Sequence, residues 1–237
     1  MSGVFRFKQF AINQQGCAMK INTDGVLLGA LAQANSNARI LDIGTGTGVI
    51  ALMLAQRFTD AYIDAVELDE TAAITARQNF VQSPFADRLQ LYAESFQSYF
   101  EGNAEKKYDV IISNPPFYIQ SLHSPTANKT LAKHADLSFF NDLICASVKH
   151  LHIAGKLWLI LPVTTAQAVK QIATGQKLFL QQIITIHSYP GSDAHRELLA
   201  FGLQQTEPTS QRFIIYNEPK KYSQQYEQTL KDFFTIF

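Results

Sequence analysis

A glycine-rich turn stands between a short apolar run and an apolar segment with helical spacing. The run ARILDI leads into Gly44-Thr45-Gly46-Thr47-Gly48, and the apolar segment follows at once. The order of strand, tight turn and helix N-terminus is typical of α/β sheets that bind a polar ligand on backbone N–H groups, because glycines carry no blocking side chain. The turn therefore predicts an α/β fold with a ligand site at this point; a glycine loop that serves packing alone is the alternative.

The rest of the chain continues this pattern, since short β-rich runs alternate with amphipathic stretches. The last three predicted strands have no helices between them, so we expect a Rossmann-like, seven-stranded sheet with an antiparallel C-terminal hairpin. Gly155 is expected to end one helix, and Thr71 to cap another. The predicted strands are residues 39–43, 62–67, 88–92, 108–113, 156–162, 178–187, 197–205 and 212–216, and the predicted helices are 48–57, 71–81, 137–151 and 164–175.

Length and composition fit one globular unit, since 237 residues with 46% hydrophobic and 17% charged side chains can bury a sizeable core. We expect residues 36–237 to form the main domain and residues 1–35 an extension on its ligand side. Cys17 and Cys145 lie far apart without metal-ligand spacing, so neither a disulfide framework nor a metal site is expected. No apolar run suggests a membrane span or secretory signal. A cytoplasmic protein is the resulting expectation; the sequence does not determine the oligomeric state, for which a monomer is the expectation.

The charge balance gives no general sign of nucleic-acid binding, because 20 Lys and Arg residues match 20 Asp and Glu residues. A local basic patch is compatible with this neutrality. The first 20 residues carry three basic and no acidic side chains, and Lys220 and Lys221 open the C-terminal tail. Solvated surface charge is the simpler interpretation of each residue.

Two acidic residues accompany the glycine-rich turn, whose Gly-x-Gly-x-Gly spacing departs from the dinucleotide fingerprint. Asp42 would repel a phosphate, but it can order the turn or meet the ammonium group of an amino-acid ligand. Glu67 ends the next strand, where an acid can accept hydrogen bonds from ribose hydroxyls. These residues favour S-adenosylmethionine over NAD. Leu68 would then lie beside the cofactor adenine, and Asp69 is expected to cap the next helix. The candidate cofactor-binding residues here are Asp42, Gly44, Thr45, Gly46, Gly48, Glu67 and Leu68.

The segment Asn114-Pro115-Pro116-Phe117 directly follows the fourth predicted strand, at the edge where open α/β sheets bind ligands. Its two prolines hold the loop rigid. The Asn114 amide and the Pro115 carbonyl provide two acceptors for the hydrogens of an –NH₂ group, and Phe117 can stack on a planar base. Asn114, Pro115 and Phe117 are therefore the candidate catalytic residues; a proline-rich strand exit with a core phenylalanine is the alternative.

This acceptor pair suits methylation of the adenine amine, whose nitrogen is a poor nucleophile while its lone pair is delocalised into the ring. Two hydrogen bonds from the amine favour a pyramidal nitrogen, and attack on a sulfonium methyl then depends mostly on positioning. The proton leaves afterwards, so no strong base is required before attack.

With these motifs, the chain resembles class I S-adenosylmethionine-dependent methyltransferases of the NPPY/F group. Over nearly its whole length it resembles the bacterial tRNA1(Val) (adenine-37-N6)-methyltransferases. The segments that carry the resemblance are FKQF (7–10), CAMKINTDGVLLGA (17–30), LDIGTGTG, DAVELD, ISNPPF and HRELLAF (195–201).

The resemblance implies the seven-stranded class I fold, S-adenosylmethionine as cofactor with S-adenosylhomocysteine as product, and the adenosine 3′ of the anticodon in a valine tRNA as substrate. It also implies that Lys20, Thr23 and Asp24 lie near the cofactor and target pocket, although a helix cap by Thr23 or Asp24 is an equal alternative. Where many relatives place an aspartate beside the cofactor adenine, this chain has Glu94 and then Ser95. Ser95 is the candidate cofactor contact here, and a backbone group or Glu94 itself are the alternatives.

Three further polar residues have open roles. Arg196 can hold an RNA phosphate or pair with a carboxylate. His123 and His134 follow the NPPF segment in a stretch that can serve as a substrate loop, and a surface role is the simpler interpretation of both.

Alternative functions remain open at this point. A protein-glutamine methyltransferase would also present an –NH₂ group to the NPP loop, but the other segments argue against it. A DNA adenine methyltransferase would be expected to carry a target-recognition domain of roughly a hundred further residues, and none is evident in this sequence. A non-catalytic RNA-binding module is the alternative outside enzymology.

Overall fold

The computed structural model describes residues 3–17, 19–115 and 127–237, with the backbone alone over 127–136. Within these ranges the helices are α1 (Thr23–Leu31), α2 (Val49–Arg57), α3 (Glu70–Val81), α4 (Phe96–Gly102), α5 (Ala127–His150), α6 (Val163–Gly175) and α7 (Gln224–Leu230), with a 3-10 helix at Ala86–Arg88. The strands are β1 (Val4–Arg6), β2 (Ala11–Asn13), β3 (Arg39–Ile43), β4 (Tyr62–Val66), β5 (Leu89–Tyr92), β6 (Tyr108–Ser113), β7 (Leu151–Pro162), β8 (Phe179–His187), β9 (Ala194–Gly202), β10 (Thr209–Ile214), β11 (Tyr216–Glu218) and β12 (Lys221–Tyr222).

Eight of these strands form one central sheet in the order β10-β8-β9-β7-β6-β3-β4-β5. Strands β3 to β7 run parallel, whereas β9 is antiparallel to both of its neighbours, β7 and β8. The predicted Rossmann-like α/β class with an antiparallel end is therefore confirmed. The sheet has one strand more than the seven expected, because β10 joins its edge parallel to β8, and the short antiparallel pair β11–β12 follows.

The predicted role of Gly155 as a helix end is wrong. Helix α5 already ends at His150, and Gly155 lies inside β7, where the pairing with β6 shifts between Tyr108 and Val110. A Cβ atom on Gly155 would lie 2.8 Å from the Tyr108 carbonyl oxygen. The glycine is therefore required by a close backbone approach at a bulge, which the sequence pattern cannot distinguish from a helix end.

Helix α3 starts one residue before the predicted position, and its N-cap lies two residues before the predicted one. Asp69 is the N-cap, because its Oδ1 accepts a hydrogen bond from the Ala72 N–H at 2.8 Å. Thr71, predicted as the cap, lies in the first turn instead. The prediction that Asp69 caps this helix is confirmed, and the carboxylate complements the positive end of the helix dipole.

The sheet is buried on both faces, and successive side chains of β7 alternate between these faces. Trp158 and Ile160 pack into one hydrophobic cluster, and Leu157, Leu159 and Leu161 into the other. The first cluster also contains side chains of α1, α2 and α7, and the second contains side chains of α4, α5 and α6. Helices on both faces leave the ends of the parallel strands as the place for a ligand site.

The N-terminal segment is joined to this core through the side chain of Asn79 in α3. Its Oδ1 accepts from the Asn13 N–H at 2.9 Å, and its Nδ2 donates to the carbonyls of Asn13 and Thr47 at 3.0 and 2.9 Å. One buried amide thus connects β2, α3 and the glycine-rich turn, which fixes the N-terminal segment beside that turn. In the described part of the chain, no helix is both long and apolar enough to cross a bilayer.

Candidate active site

The strand register brings three loops together at the carboxyl edge of the sheet. Ile43 pairs with Val66 on one side and with Ser113 on the other. The residues that follow these strand ends therefore lie side by side, and they include Glu67 and Asn114. The Ser113 hydroxyl donates to the Ile43 carbonyl at 2.8 Å, which holds the ends of β3 and β6 in line. The glycine-rich turn and the NPPF segment, found separately in the sequence, thus start from adjacent strands.

The glycine-rich turn has the backbone conformation that its glycines predict. Gly44, Gly46 and Gly48 have φ values of 69°, 59° and 88°, in the left-handed region where other residues are strained. The N–H groups of Gly44 and Thr45 donate to the Val66 carbonyl at 2.9 and 3.1 Å. Gly48 is the N-cap of α2, and as a glycine it has no side chain to cap this helix end. The positive end of the helix dipole therefore faces the turn without a cap from this residue.

Glu67 supports the same turn from the end of β4. Its Oε2 accepts from the Gly46 N–H, and its Oε1 accepts from the Asp69 N–H, both at 2.8 Å. Leu68, between the two acids, is 74% exposed. A large apolar side chain held in solvent beside a fixed carboxylate is the arrangement expected for a ligand with an apolar ring and neighbouring hydroxyls.

Asp42 lies beneath the turn and is fully buried. Its Oδ2 accepts a hydrogen bond from the Thr45 hydroxyl at 2.6 Å, whereas its Oδ1 has no hydrogen-bond partner among the described residues. Burial raises the pKa of Asp42 from 3.8 to about 7, and the Thr45 hydroxyl opposes this rise. Of the two roles considered for Asp42, the structure shows the ordering of the turn.

The raised pKa of Asp42 predicts a pH-dependent stability. Between pH 3.8 and about 7 the folded chain holds a proton that an unfolded aspartate has lost, so unfolding releases a proton and rising pH favours it. The free energy of unfolding of the wild type, relative to Asp42→Asn, should therefore fall as pH rises through this window, by up to about 1.4 kcal/mol per pH unit. Urea titrations of both proteins at a series of pH values measure this difference; parallel pH profiles would contradict it.

Helix α1 reaches the site from the N-terminal segment. Its N-cap is Asn22, whose Oδ1 accepts from the Gly25 N–H at 2.9 Å. A cap by Thr23 or Asp24 is therefore wrong, since both lie in the first turn. A Cβ atom on Gly25 would lie 3.5 Å from Asn114 Nδ2, so α1 contacts the NPPF segment closely.

Two depressions meet at Asn114. The first, the turn pocket, has a volume of about 30 Å³, and its walls include Lys20, residues 44–47 and Asn114. The second, the side cleft, has a volume of about 380 Å³. It is lined by Met19, Asn22, Thr23, Asp24, Asn114, Pro115, His195 and Arg196. Asn114 is thus placed where a group bound on the glycine-rich turn can meet a group bound in the side cleft.

Arg196 crosses the side cleft to α1. Its Nε donates to Asp24 Oδ2 at 2.7 Å, an ion pair between residues 172 positions apart. Of the two roles considered for Arg196, pairing with a carboxylate is the one that the structure shows. His195, Asn22 and Met19 also line the cleft, and the pattern of the sequence did not identify them; for His195 the only available signal was the HRELLAF segment.

The remaining predicted residues are placed as follows. Ser95 is the N-cap of α4, where its hydroxyl oxygen accepts from the Ser98 N–H at 3.1 Å, and neither Ser95 nor Glu94 lines the described walls of the turn pocket or the side cleft. Phe117 and His123 lie outside the described residues, and so does the side chain of His134.

Comparison with known proteins gives a family for this arrangement. The family model for the methyltransferase small domain matches residues 19–177. A protein of Pedobacter heparinus is 44% identical over 237 residues, with all of both chains covered, and a protein of Pectobacterium carotovorum is 38% identical over 97% of this chain and 93% of its own. Both bear the name tRNA1(Val) (adenine(37)-N6)-methyltransferase.

Solved structures agree on the fold. A predicted O-methyltransferase from Agrobacterium tumefaciens aligns with a TM-score of 0.71 at 20% identity, over 89% of this chain and 96% of its own. TrmN from Thermus thermophilus aligns with a TM-score of 0.54 at 19% identity, over 75% of this chain and 47% of its own. The family model and the full-length relatives show that the chain belongs to the methyltransferase small-domain family and to the family of tRNA1(Val) (adenine(37)-N6)-methyltransferases.

Proposed function

We propose that this chain transfers a methyl group from S-adenosylmethionine to the exocyclic N6 of adenine in tRNA, at adenosine 37 of tRNA1(Val). The observation that carries the proposal is the position of Asn114, between the glycine-rich turn and the side cleft. The full-length relatives bear the name of this activity, which supports the choice of tRNA over protein and DNA.

The residues around the turn fit the cofactor. Three glycines leave the backbone open, the uncapped α2 N-terminus offers N–H groups, and Glu67 and Leu68 provide a carboxylate and an exposed apolar surface for a nucleoside. When bound, the cofactor supplies an electrophilic methyl group on a sulfonium. The proposed contacts are Lys20, Thr23, Gly44, Thr45, Gly46, Gly48, Glu67, Leu68, Ser95 and Asn114, and the buried Asp42 belongs to the same site by ordering the turn from beneath.

The NPPF segment would hold the target amine. Asn114 accepts one hydrogen of the amine through its side-chain oxygen, Pro115 accepts the other through its carbonyl, and Phe117 stacks on the base. Both acceptors favour a pyramidal nitrogen in line with the methyl group, and they stabilise the positive charge that develops there. The target adenosine has to leave its stack to reach this position, which an anticodon loop permits more readily than a duplex.

The N-terminal residues 1–35 form, in this proposal, an extension on the cofactor and substrate side of the methyltransferase domain 36–237. Two contacts support this division of roles. Asn79 joins β2 to the glycine-rich turn, and Asp24 of α1 pairs with Arg196 across the side cleft. The extension would thus close both depressions from one side.

The direct test is methyl transfer from labelled S-adenosylmethionine to tRNA that lacks the modification, followed by nucleoside analysis. We expect N6-methyladenosine at position 37 of tRNA1(Val). Parallel reactions with DNA and with protein test the two rival substrates. Label in DNA or protein, with none in tRNA, would overturn the proposed substrate, and no transfer to any acceptor would overturn the proposed activity.

Replacing Glu67 by glutamine should weaken cofactor binding about tenfold, because glutamine has one acceptor oxygen where the carboxylate uses two. One of the two backbone N–H groups then loses its partner, and the turn loses part of its order. Calorimetric titration with S-adenosylhomocysteine measures the affinity. Glu101→Gln, an exposed glutamate on α4, is the matched control; equal affinities of the two variants would contradict the role of Glu67.

A further inference from the structure

His195 occupies an irregular position in β9. Ile186 of β8 pairs with Arg196, but the next residue, His187, pairs with Ala194, so His195 is the extra residue of a β-bulge. Adjacent side chains of a regular strand point to opposite faces of the sheet. At this bulge, His195 and Arg196 both line the side cleft, together with Asn114. Bulges near ligand sites commonly redirect a side chain in this way.

The hydrogen bonds of Arg196 hold the bulge in place. Besides its ion pair with Asp24, the Arg196 guanidinium donates to the His195 carbonyl through Nη1 at 2.9 Å. The backbone at His195 is therefore tied to α1 through a charged pair whose side chains are 29% and 16% exposed. A charge-assisted contact of this kind holds the backbone from which the imidazole projects.

The two ring nitrogens of His195 differ in environment. Nδ1 is buried and has no hydrogen-bond partner among the described residues, so Nε2 is the nitrogen available to a ligand in the side cleft. Burial, followed by the charge of Arg196, lowers the pKa of His195, so the ring is neutral near pH 7. A buried N–H without an acceptor is rare. The neutral ring therefore favours the tautomer with its proton on Nε2, which makes Nε2 a donor.

We infer that His195 reads the target base by donating its Nε2–H to a ring nitrogen that flanks the amine of adenine, N1 or N7. The inference rests on the proposed function and adds a third polar contact to it. The acceptors of Asn114 and Pro115 take the amine hydrogens, and His195 supplies the donor for the adjacent ring nitrogen. The combination matches adenine and excludes guanine, which has an acceptor oxygen in place of the amine.

Substrates that lack one ring nitrogen test this contact. The RNA is an unmodified tRNA1(Val) assembled with adenosine, 1-deazaadenosine or 7-deazaadenosine at the target position. We expect the wild type to lose roughly tenfold in kcat/KM on one of the two deaza substrates. On the adenosine RNA, His195→Ala should be slower than the wild type by a similar factor. On the deaza RNA that slows the wild type, His195→Ala should show no further loss. The electronic effect of the missing nitrogen is the same for both proteins, so the difference reports the hydrogen bond alone.

Two variants complete the test. His195→Gln retains a donor and should recover part of the wild-type discrimination between the adenosine and deaza substrates. His152 is an exposed histidine outside the side cleft, and His152→Ala should keep this discrimination in full. Thermal unfolding and cofactor affinity check that each variant is folded. If His195→Ala shows the wild-type loss on both deaza substrates, or if the wild type loses nothing on either, the inference is overturned while the proposed function stands. If the wild type does not methylate the adenosine RNA, the proposed function itself fails.

Discussion

Asn114→Ala should transfer methyl groups to tRNA about 10² to 10³ times more slowly than the wild type, the loss typical when one preorganised polar group that stabilises developing charge is removed. Asn114 stands at the meeting point of the turn pocket and the side cleft, next to the end of β6 that Ser113 ties to β3. Alanine removes one of the two proposed acceptors of the amine and leaves that strand end intact. The chemical step should therefore slow while the protein still binds its cofactor.

Single-turnover transfer with excess enzyme separates this effect from tRNA binding and product release. Asn217→Ala, an exposed asparagine in β11, is the matched control and should react at the wild-type rate. Thermal unfolding of Asn114→Ala should stay close to the wild type, and saturating S-adenosylmethionine in the assay compensates for any loss of cofactor affinity. A rate within a factor of about three of the wild type would show that Asn114 does not hold the amine and would leave the fold assignment untouched.

Local patterns in the sequence predict the parts of the site that lie within one segment. The glycine-rich turn, the acid after the next strand and the NPPF segment are each contiguous, and parallel strands place their carboxyl ends along one edge. These rules were enough to anticipate that Gly44, Glu67 and Asn114 lie near one another, and the register of β3 confirms their proximity.

Features that depend on partners distant in the chain could not be predicted in this way. The pairing of Asp24 with Arg196 spans 172 positions, and the bulge at His195 follows from the register of β8 against β9. The cap of α1 shows a local limit as well. Asn22, Thr23 and Asp24 are all good N-cap residues, and propensity alone does not select among them.

The neutral charge of the chain bears on how it would bind RNA. With equal numbers of basic and acidic residues, the chain as a whole attracts phosphates weakly, and Arg196 is engaged with Asp24. Recognition would then depend more on base contacts within the side cleft than on charge. On this view, the polar contacts that Asn114, Pro115 and His195 make to the target base contribute more to tRNA recognition than contacts to phosphates do.

Gly48→Ala should lower the free energy of unfolding by about 2 to 5 kcal/mol, from two sources. A residue with a side chain is strained by roughly 1–2 kcal/mol at its φ of 88°. The new Cβ would also lie 2.4 Å from Cε1 of Phe80, a ring buried in the core that cannot move aside freely, and overpacking of this kind costs about 1–3 kcal/mol.

Two other glycines separate these causes, and urea unfolding of the three variants measures all of them. Gly46 has a φ of 59° but no atom of the described residues within 4 Å of its Cβ position, so Gly46→Ala should lose only the conformational part, about 1–2 kcal/mol. Gly102, in the last turn of α4, has neither a positive φ nor a close neighbour in the described part of the chain, so Gly102→Ala should be neutral or slightly stabilising. The loss of unfolding free energy should therefore decrease in the order Gly48, Gly46, Gly102. Equal losses at Gly48 and Gly46 would mean that the Phe80 ring moves aside, so that the backbone conformation of the turn, and not the packing beneath it, accounts for the loss at Gly48.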